Sequence, residues 1–271
     1  MCLQSPLLAF AVAVGLALPG LARSQPEFVL QRYVKSNHSG ALKVLFIGNS
    51  FTYFYDMPAI FAALVDSAKP KADMKIEAAV AGGVTLEELR RRDVQHVIAD
   101  DGPWDFIVLQ EQSRRPIEAR EKMLSSCLQF KGEIEKLGAK MVLYETWSDK
   151  TKPNEAQMLI DAYENTAGDC AAAVAPVGRA WREVEKEWPS IDLYDRDDHH
   201  PSQAGAYLAA CVFYAKLLGK SPVGLITHCN INDPCTGLER PLINLDEREA
   251  QLLQQAAWNC VNQFPSATAV P

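Results

Sequence analysis

The chain has 271 residues, with 27 Lys and Arg against 34 Asp and Glu for a formal charge of −7, and 48% of its residues are hydrophobic. That composition belongs to an ordinary globular protein and excludes a disordered or collagen-like chain. An acidic balance with no long Lys/Arg run also argues against nucleic acid or an anionic membrane surface as partner, because phosphate binding needs clustered positive charge.

At the N-terminus, residues 6–18 form the uncharged apolar run PLLAFAVAVGLAL, followed by Pro19, Gly20 and small residues. The run is shorter than the ~20 apolar residues of a membrane-spanning helix. It reads as a secretory signal ending near Ala22, or as an uncleaved N-terminal anchor. Residues 1–22 are therefore expected to be a signal peptide or anchor, 23–40 a linker and 41–271 one domain. Such a protein is secreted or periplasmic, with no membrane contact beyond that segment. Apart from Cys2, six cysteines remain (Cys127, Cys170, Cys211, Cys229, Cys235 and Cys260), an even number that suits an oxidising compartment. Cys229 and Cys235 flank a short loop and are expected to form a disulfide. A metal site with His228 is the weaker alternative, since the spacing does not fit the usual zinc knuckles. Cys127 and Cys211 fall in helical patterns as candidate core thiols.

Short runs rich in β-branched and aliphatic residues predict strands over 42–47, 74–80, 105–109, 140–144 and 173–177. Helical periodicity predicts helices over 58–68, 86–99, 117–137, 154–170, 178–188, 202–218 and 246–262, with Thr85 as an N-cap. The triplet Arg90, Arg91 and Arg92 lies beside Glu87 and Glu88 and reads as a solvated helix face. Strands apolar on both faces and separated by crossover helices imply a parallel sheet covered on both sides. The expected fold is thus a three-layer α/β/α domain with a flavodoxin-like parallel sheet of about five strands, and residues 221–239 are read as loop. Ligands of such sheets bind at the carboxyl ends of the strands, so chemistry is sought in the loops after them.

Two of these loops hold the parts of a nucleophilic site. The first strand runs into Gly48-Asn49-Ser50, where a turn could present the Ser50 hydroxyl, although a serine here could equally cap the following helix. Far downstream, Asp195 to Pro201 reads DRDDHHP, and Asp197 with His200, three apart in one turn, offers an acid and a base together. A metal cluster built on Asp195 to His200, or a solvated turn, competes with that reading.

Taken together, the blocks VLFIGNSFT, AGGVT, QEQS and DRDDHHP resemble the SGNH hydrolase superfamily, the GDSL-like esterases, in that family's order and across most of the chain after the leader. The resemblance implies Ser50 as nucleophile, His200 as base and Asp197 as the acid that orients it. It implies an oxyanion hole from the backbone N–H groups of Ser50 and of Gly83, or Gly82 in the alternative alignment, together with the Gln112 amide. No cofactor or metal is implied. The chain departs from the family pattern at Gln110, Gln112 and Ser113, where Gly, Asn and Asp are usual, and at Asn49, where Asp is commonest; these mark a divergent branch. Pro201 and the three-residue spacing from Asp197 select His200 over His199. Tyr53 and Trp147 are the aromatic candidates for substrate binding, and aromatic platforms would suit a carbohydrate acetyl ester. The expected activity is hydrolysis of a small-molecule or carbohydrate ester through an acyl-enzyme. The competing expectations are an exported carbohydrate-binding protein that has lost catalysis, and a metal-dependent hydrolase using the Asp195–His200 cluster.

Overall fold

In the centre of the sheet, odd and even positions are both apolar because both faces are buried. On β2 (Leu42–Gly48), Val44 and Phe46 enter one hydrophobic layer while Leu45 and Ile47 enter the other. The computed structural model describes residues 28–34, 41–92, 94–100, 102–232 and 237–264. In chain order it forms β1 (Val29–Val34), β2, α1 (Ser50–Tyr53), α2 (Met57–Ser67), β3 (Met74–Val80), α3 (Leu86–Arg90), α4 (Val94–Asp100) and β4 (Phe106–Leu109). There follow α5 (Arg115–Glu118), α6 (Arg120–Lys136), β5 (Lys140–Tyr144), α7 (Ala156–Cys170), β6 (Ala173–Ala175) and α8 (Val177–Glu187). The chain continues through α9 (Gln203–Leu218), β7 (His228–Asn232), β8 (Glu239–Asn244) and α10 (Glu247–Gln263).

The result is a three-layer α/β/α fold around a six-stranded sheet ordered β1-β3-β2-β4-β5-β6. One layer packs α2 and α8 to α10 on the sheet through residues such as Ile60, Trp181, Leu208 and Leu253. The opposite layer brings α3, α4, α6 and α7 to it through Leu86, Val97, Phe130 and Tyr163. From β3 to β6 all pairings are parallel. The chain passes from β2 to β3 on one side and then to β4 on the other, so a crevice opens above β2, where strand order reverses.

Three expectations need correction. The sheet is mixed and six-stranded, because Val29–Val34, in the stretch read as linker, pairs antiparallel with the outer edge of β3. Its sequence VLQRYV is too polar at its centre to announce a strand; an open sheet edge supplies the partner. The tail read as loop holds the antiparallel hairpin β7–β8. No disulfide forms at Cys229, whose thiol is free, as are those of Cys127, Cys170, Cys211 and Cys260. Cys229 stands opposite Ile243 in the hairpin ladder and lines an apolar groove against α2, while the other four are buried like small hydrophobes. Cys235 and the apolar run of residues 6–18 lie outside the described residues. Among the described residues, no helix is long and apolar enough to cross a membrane.

Thr85 caps α3 in a reciprocal box with Glu88. Arg91 pairs with Glu87 on the surface as a solvated face would, whereas Arg90 pairs with Glu133 of α6 in a partly buried contact. The helix expected over 86–99 is interrupted after Arg90 and resumes as α4.

Candidate active site

The sharp exit from β2 is made by Gly48. A Cβ there would lie 2.3 Å from Thr52 Oγ1 and 2.6 Å from Gln110 Oε1, so only glycine fits. Asn49 then caps α1, its side chain accepting from the Phe51 N–H at 3.1 Å and donating to the Val84 carbonyl at 3.0 Å. Gln110, fully buried at the end of β4, accepts from the Asn49 N–H at 2.8 Å and from the Thr52 hydroxyl at 2.9 Å. These bonds fix the backbone on both sides of Ser50 and place it above the sheet at the first position of α1.

The Asp195–His200 loop closes on itself, since Asp195 N–H donates to the His200 carbonyl at 2.8 Å and Asp198 N–H to that of Asp195 at 3.0 Å. Asp198 adopts a left-handed φ of 55°, which a short polar side chain tolerates better than most. The loop brings His200 Nε2 to 2.9 Å from Ser50 Oγ and His200 Nδ1 to 2.6 Å from Asp197 Oδ2. The other Asp197 oxygen accepts the backbone N–H groups of His199 and His200 at 3.1 and 2.9 Å. Partial burial works against the Asp197 charge, but the imidazole and these two N–H donors outweigh it and hold its carboxyl below the ordinary range. A carboxylate only accepts, so in the neutral imidazole His200 Nδ1 carries the proton and Nε2 presents its lone pair to the serine hydroxyl. Phe54 stacks on the His200 ring at 4.0 Å between centroids and 12° between planes.

The remaining candidates are distributed around this line. Gly83 has φ +65° with open space beside it, and Gly82 lies against the Tyr53 hydroxyl. Gln112 is half-buried, and its Oε1 accepts the Arg114 and Arg115 N–H groups at 2.9 and 3.1 Å while its Nε2 donates to Ser113 Oγ at 3.2 Å. Two donors on one oxygen fix which end of the amide carries the N–H groups. Tyr53 is half-buried beside Gly82. Trp147 is 3% exposed, stacked between Phe51 at 4.6 Å and Trp181 at 3.9 Å, and has no open face for a ligand. Its indole N–H donates to the His199 carbonyl at 3.1 Å, so it supports the histidine loop from beneath. Trp147→Ala should therefore cost roughly 3–5 kcal/mol of stability, read by denaturant unfolding. Among the described residues, no three His, Cys, Asp or Glu side chains converge as a metal would require.

Two carboxylates near the strand ends escaped the sequence reading. Glu111 is buried and accepts the Leu86 and Gln112 N–H groups, tying the β4 loop to the start of α3, and burial pushes its carboxyl up. Glu145, at the end of β5, accepts the Arg179 N–H at 2.8 Å, yet burial raises its pKa to about 8. The folded state thus holds a proton that the unfolded chain releases, and stability should fall as pH rises between about 4.5 and about 8. Glu145→Gln is expected to flatten that fall in thermal melts across pH 5 to 9, by ~1–3 kcal/mol at the alkaline end.

No protein-family model and no curated protein matches this sequence. Solved structures do. A candidate SGNH hydrolase from Slackia heliotrinireducens shares 27% identity over 64% of this chain and 97% of its own, with a TM-score of 0.53. A DUF4886 family protein from Bacteroides uniformis shares 19% identity over 85% and 98%, with a TM-score of 0.68. An acetylxylan esterase from Geobacillus stearothermophilus shares 20% identity over 65% and 93%, with a TM-score of 0.52. The chain thus has a fold found in several bacterial ester hydrolases.

Proposed function

We propose that this protein is a serine hydrolase of the SGNH type that cleaves carboxylic esters, with small-acyl or carbohydrate acetyl esters as the substrate class. The observation that carries the reading is the continuous line Ser50 Oγ, His200 Nε2, His200 Nδ1, Asp197 Oδ2, with spacings of 2.9 and 2.6 Å. The 27% identical SGNH candidate and the fold shared with an acetylxylan esterase support it. In this proposal His200 Nε2 takes the Ser50 proton as Oγ attacks the ester carbonyl carbon. The protonated His200 then gives that proton to the leaving alcohol, producing an acyl-enzyme. Water attacks the acyl carbon with His200 again as base, and the acid departs with Ser50 restored. Asp197 holds the imidazole in the tautomer needed and stabilises its cation. The tetrahedral oxyanion is assigned to the N–H groups of Ser50 and Gly83 and to Gln112 Nε2, whose second hydrogen is not committed by the bond to Ser113. Residues 1–22 are assigned as the export signal or anchor, and the domain built on the six-stranded sheet, β1 included, as the catalytic domain.

Labelling by a fluorophosphonate, together with p-nitrophenyl acetate hydrolysis with and without chelator, tests the assignment. Ser50-dependent labelling and chelator-resistant turnover are expected; failure to label, with folded protein, would leave the non-catalytic binding protein. The Gln112 role has its own test. Gln112→Glu keeps the oxygen that caps α5 but deletes the donor, and should lower kcat about 10²- to 10³-fold, measured on the same ester.

A further inference from the structure

Beside the Asp197–His200 pair stands another acid–imidazole pair. His199 Nδ1 lies 2.5 Å from Asp149 Oδ1, and the other Asp149 oxygen is 3.1 Å from Lys152 Nζ. Burial opposes the Asp149 charge, but His199 and Lys152 outweigh it and hold the carboxyl below its ordinary range, so His199 Nδ1 donates to a carboxylate. Asp149 and Lys152 come from the loop after β5, which makes two further bonds to the turn that carries His199. Trp147 Nε1 donates to the His199 carbonyl at 3.1 Å and Lys150 N–H to the Asp198 carbonyl at 2.9 Å. His199 in turn touches both residues of the other pair. Its N–H donates to Asp197 Oδ1 at 3.1 Å, and its ring stands edge-on to the His200 ring, 4.9 Å away at 86°. Phe51 packs on His199 at 4.7 Å and edge-on to His200 at 5.7 Å, while Phe54 lies on His200 from outside.

We propose that Asp149 and His199 are positioning residues: a second acid–imidazole pair that locks the loop between Asp197 and His200 and so sets the angle at which the His200 ring meets Ser50. This rests on the serine hydrolase reading. A bond that held the surface loop alone would not need its histidine wedged against both partners. Here Asp149 holds the ring against whose edge His200 stands, and a shift of the His199 residue as a whole would also carry the backbone N–H on which Asp197 leans. Misplacement of a reacting group by about 1 Å costs on the order of 100-fold in rate.

The test compares Asp149→Ala with Asp149→Asn in the otherwise unchanged protein. Asp149→Ala should lower kcat on p-nitrophenyl acetate and the fluorophosphonate labelling rate about 10- to 100-fold, with KM within about twofold of wild type and the protein still folded by circular dichroism. Asp149→Asn keeps an acceptor oxygen for His199 Nδ1–H and should recover most of that loss. Independently of activity, the His200 Nδ1 proton, followed by NMR on histidine labelled with nitrogen-15, should be sharp in wild type and Asp149→Asn and broadened by exchange in Asp149→Ala. Unchanged kcat and an unchanged proton signal in Asp149→Ala would overturn the proposal, as would a loss that follows the unfolded fraction. If wild type itself neither turns over nor labels, the hydrolase reading fails, and the proton signal alone decides whether Asp149 orders the histidine pair.

Discussion

Ser50→Ala is expected to lower ester hydrolysis by about 10⁴- to 10⁶-fold while leaving the protein folded. The acyl-enzyme route needs an oxygen at this position, and an alanine supplies none. The backbone there is held by Asn49, Gln110 and Gly48 and not by the Ser50 hydroxyl, whose partner is His200. Alanine is also a good helix former, so α1 should persist. Steady-state kinetics on p-nitrophenyl acetate, paired with thermal melts of both proteins, checks this. Turnover near the wild-type rate in purified Ser50→Ala would refute the serine mechanism outright. What turnover remains should reflect binding and the oxyanion donors alone.

The second large effect is expected at Asp197. Asp197→Asn leaves the side-chain shape but replaces one acceptor oxygen by an N–H donor, and kcat should fall about 10⁴-fold. The oxygen that remains can serve either the two backbone N–H groups or His200 Nδ1, and an amide N–H facing Nδ1 would move the imidazole proton to Nε2. The base would then point a hydrogen at Ser50 in place of a lone pair. The same substitution has a signature in stability. Asp197 has a lowered folded pKa, so its contribution is present above the ordinary carboxylate range and is lost as pH falls through the folded value. Melts of wild type and Asp197→Asn should therefore converge as pH is lowered from 6 towards 3. The side chain is about half exposed, which keeps that stability change small beside the loss of rate.

The structural relatives bear unevenly on these expectations. Matches at 19% and 20% identity establish the fold, and a fold does not carry a reaction by itself. Chemistry depends instead on which atoms meet above β2. The β5 loop illustrates why. Asp149, Lys150 and Lys152 belong to no motif in the sequence, and only their placement against the Asp195–His200 turn makes them part of the site.

By itself the sequence determined the layered α/β/α architecture, because strands buried on both faces carry apolar residues at every position and amphipathic helices carry them every third or fourth. Strand and helix positions were readable within a few residues, as was the Thr85 cap, since periodicity and capping are local properties. The residue types in the loops after β2 and before α9 were equally legible, including Asp197 and His200 within one turn. Tertiary structure alone decided what depends on a distant partner. Val29–Val34 becomes a strand because β3 has an open edge, Cys229 is a free thiol set opposite Ile243 in a hairpin, and Trp147 is enclosed because Phe51 and Trp181 cover its two faces. Gln110 under the Ser50 turn, Phe54 on the His200 ring and His199 against Asp149 belong with these. So does the approach of Ser50 to His200, which lies 150 positions away in the chain. No local pattern encodes such contacts; the strand order brings them together by placing both loops above the same edge of the sheet.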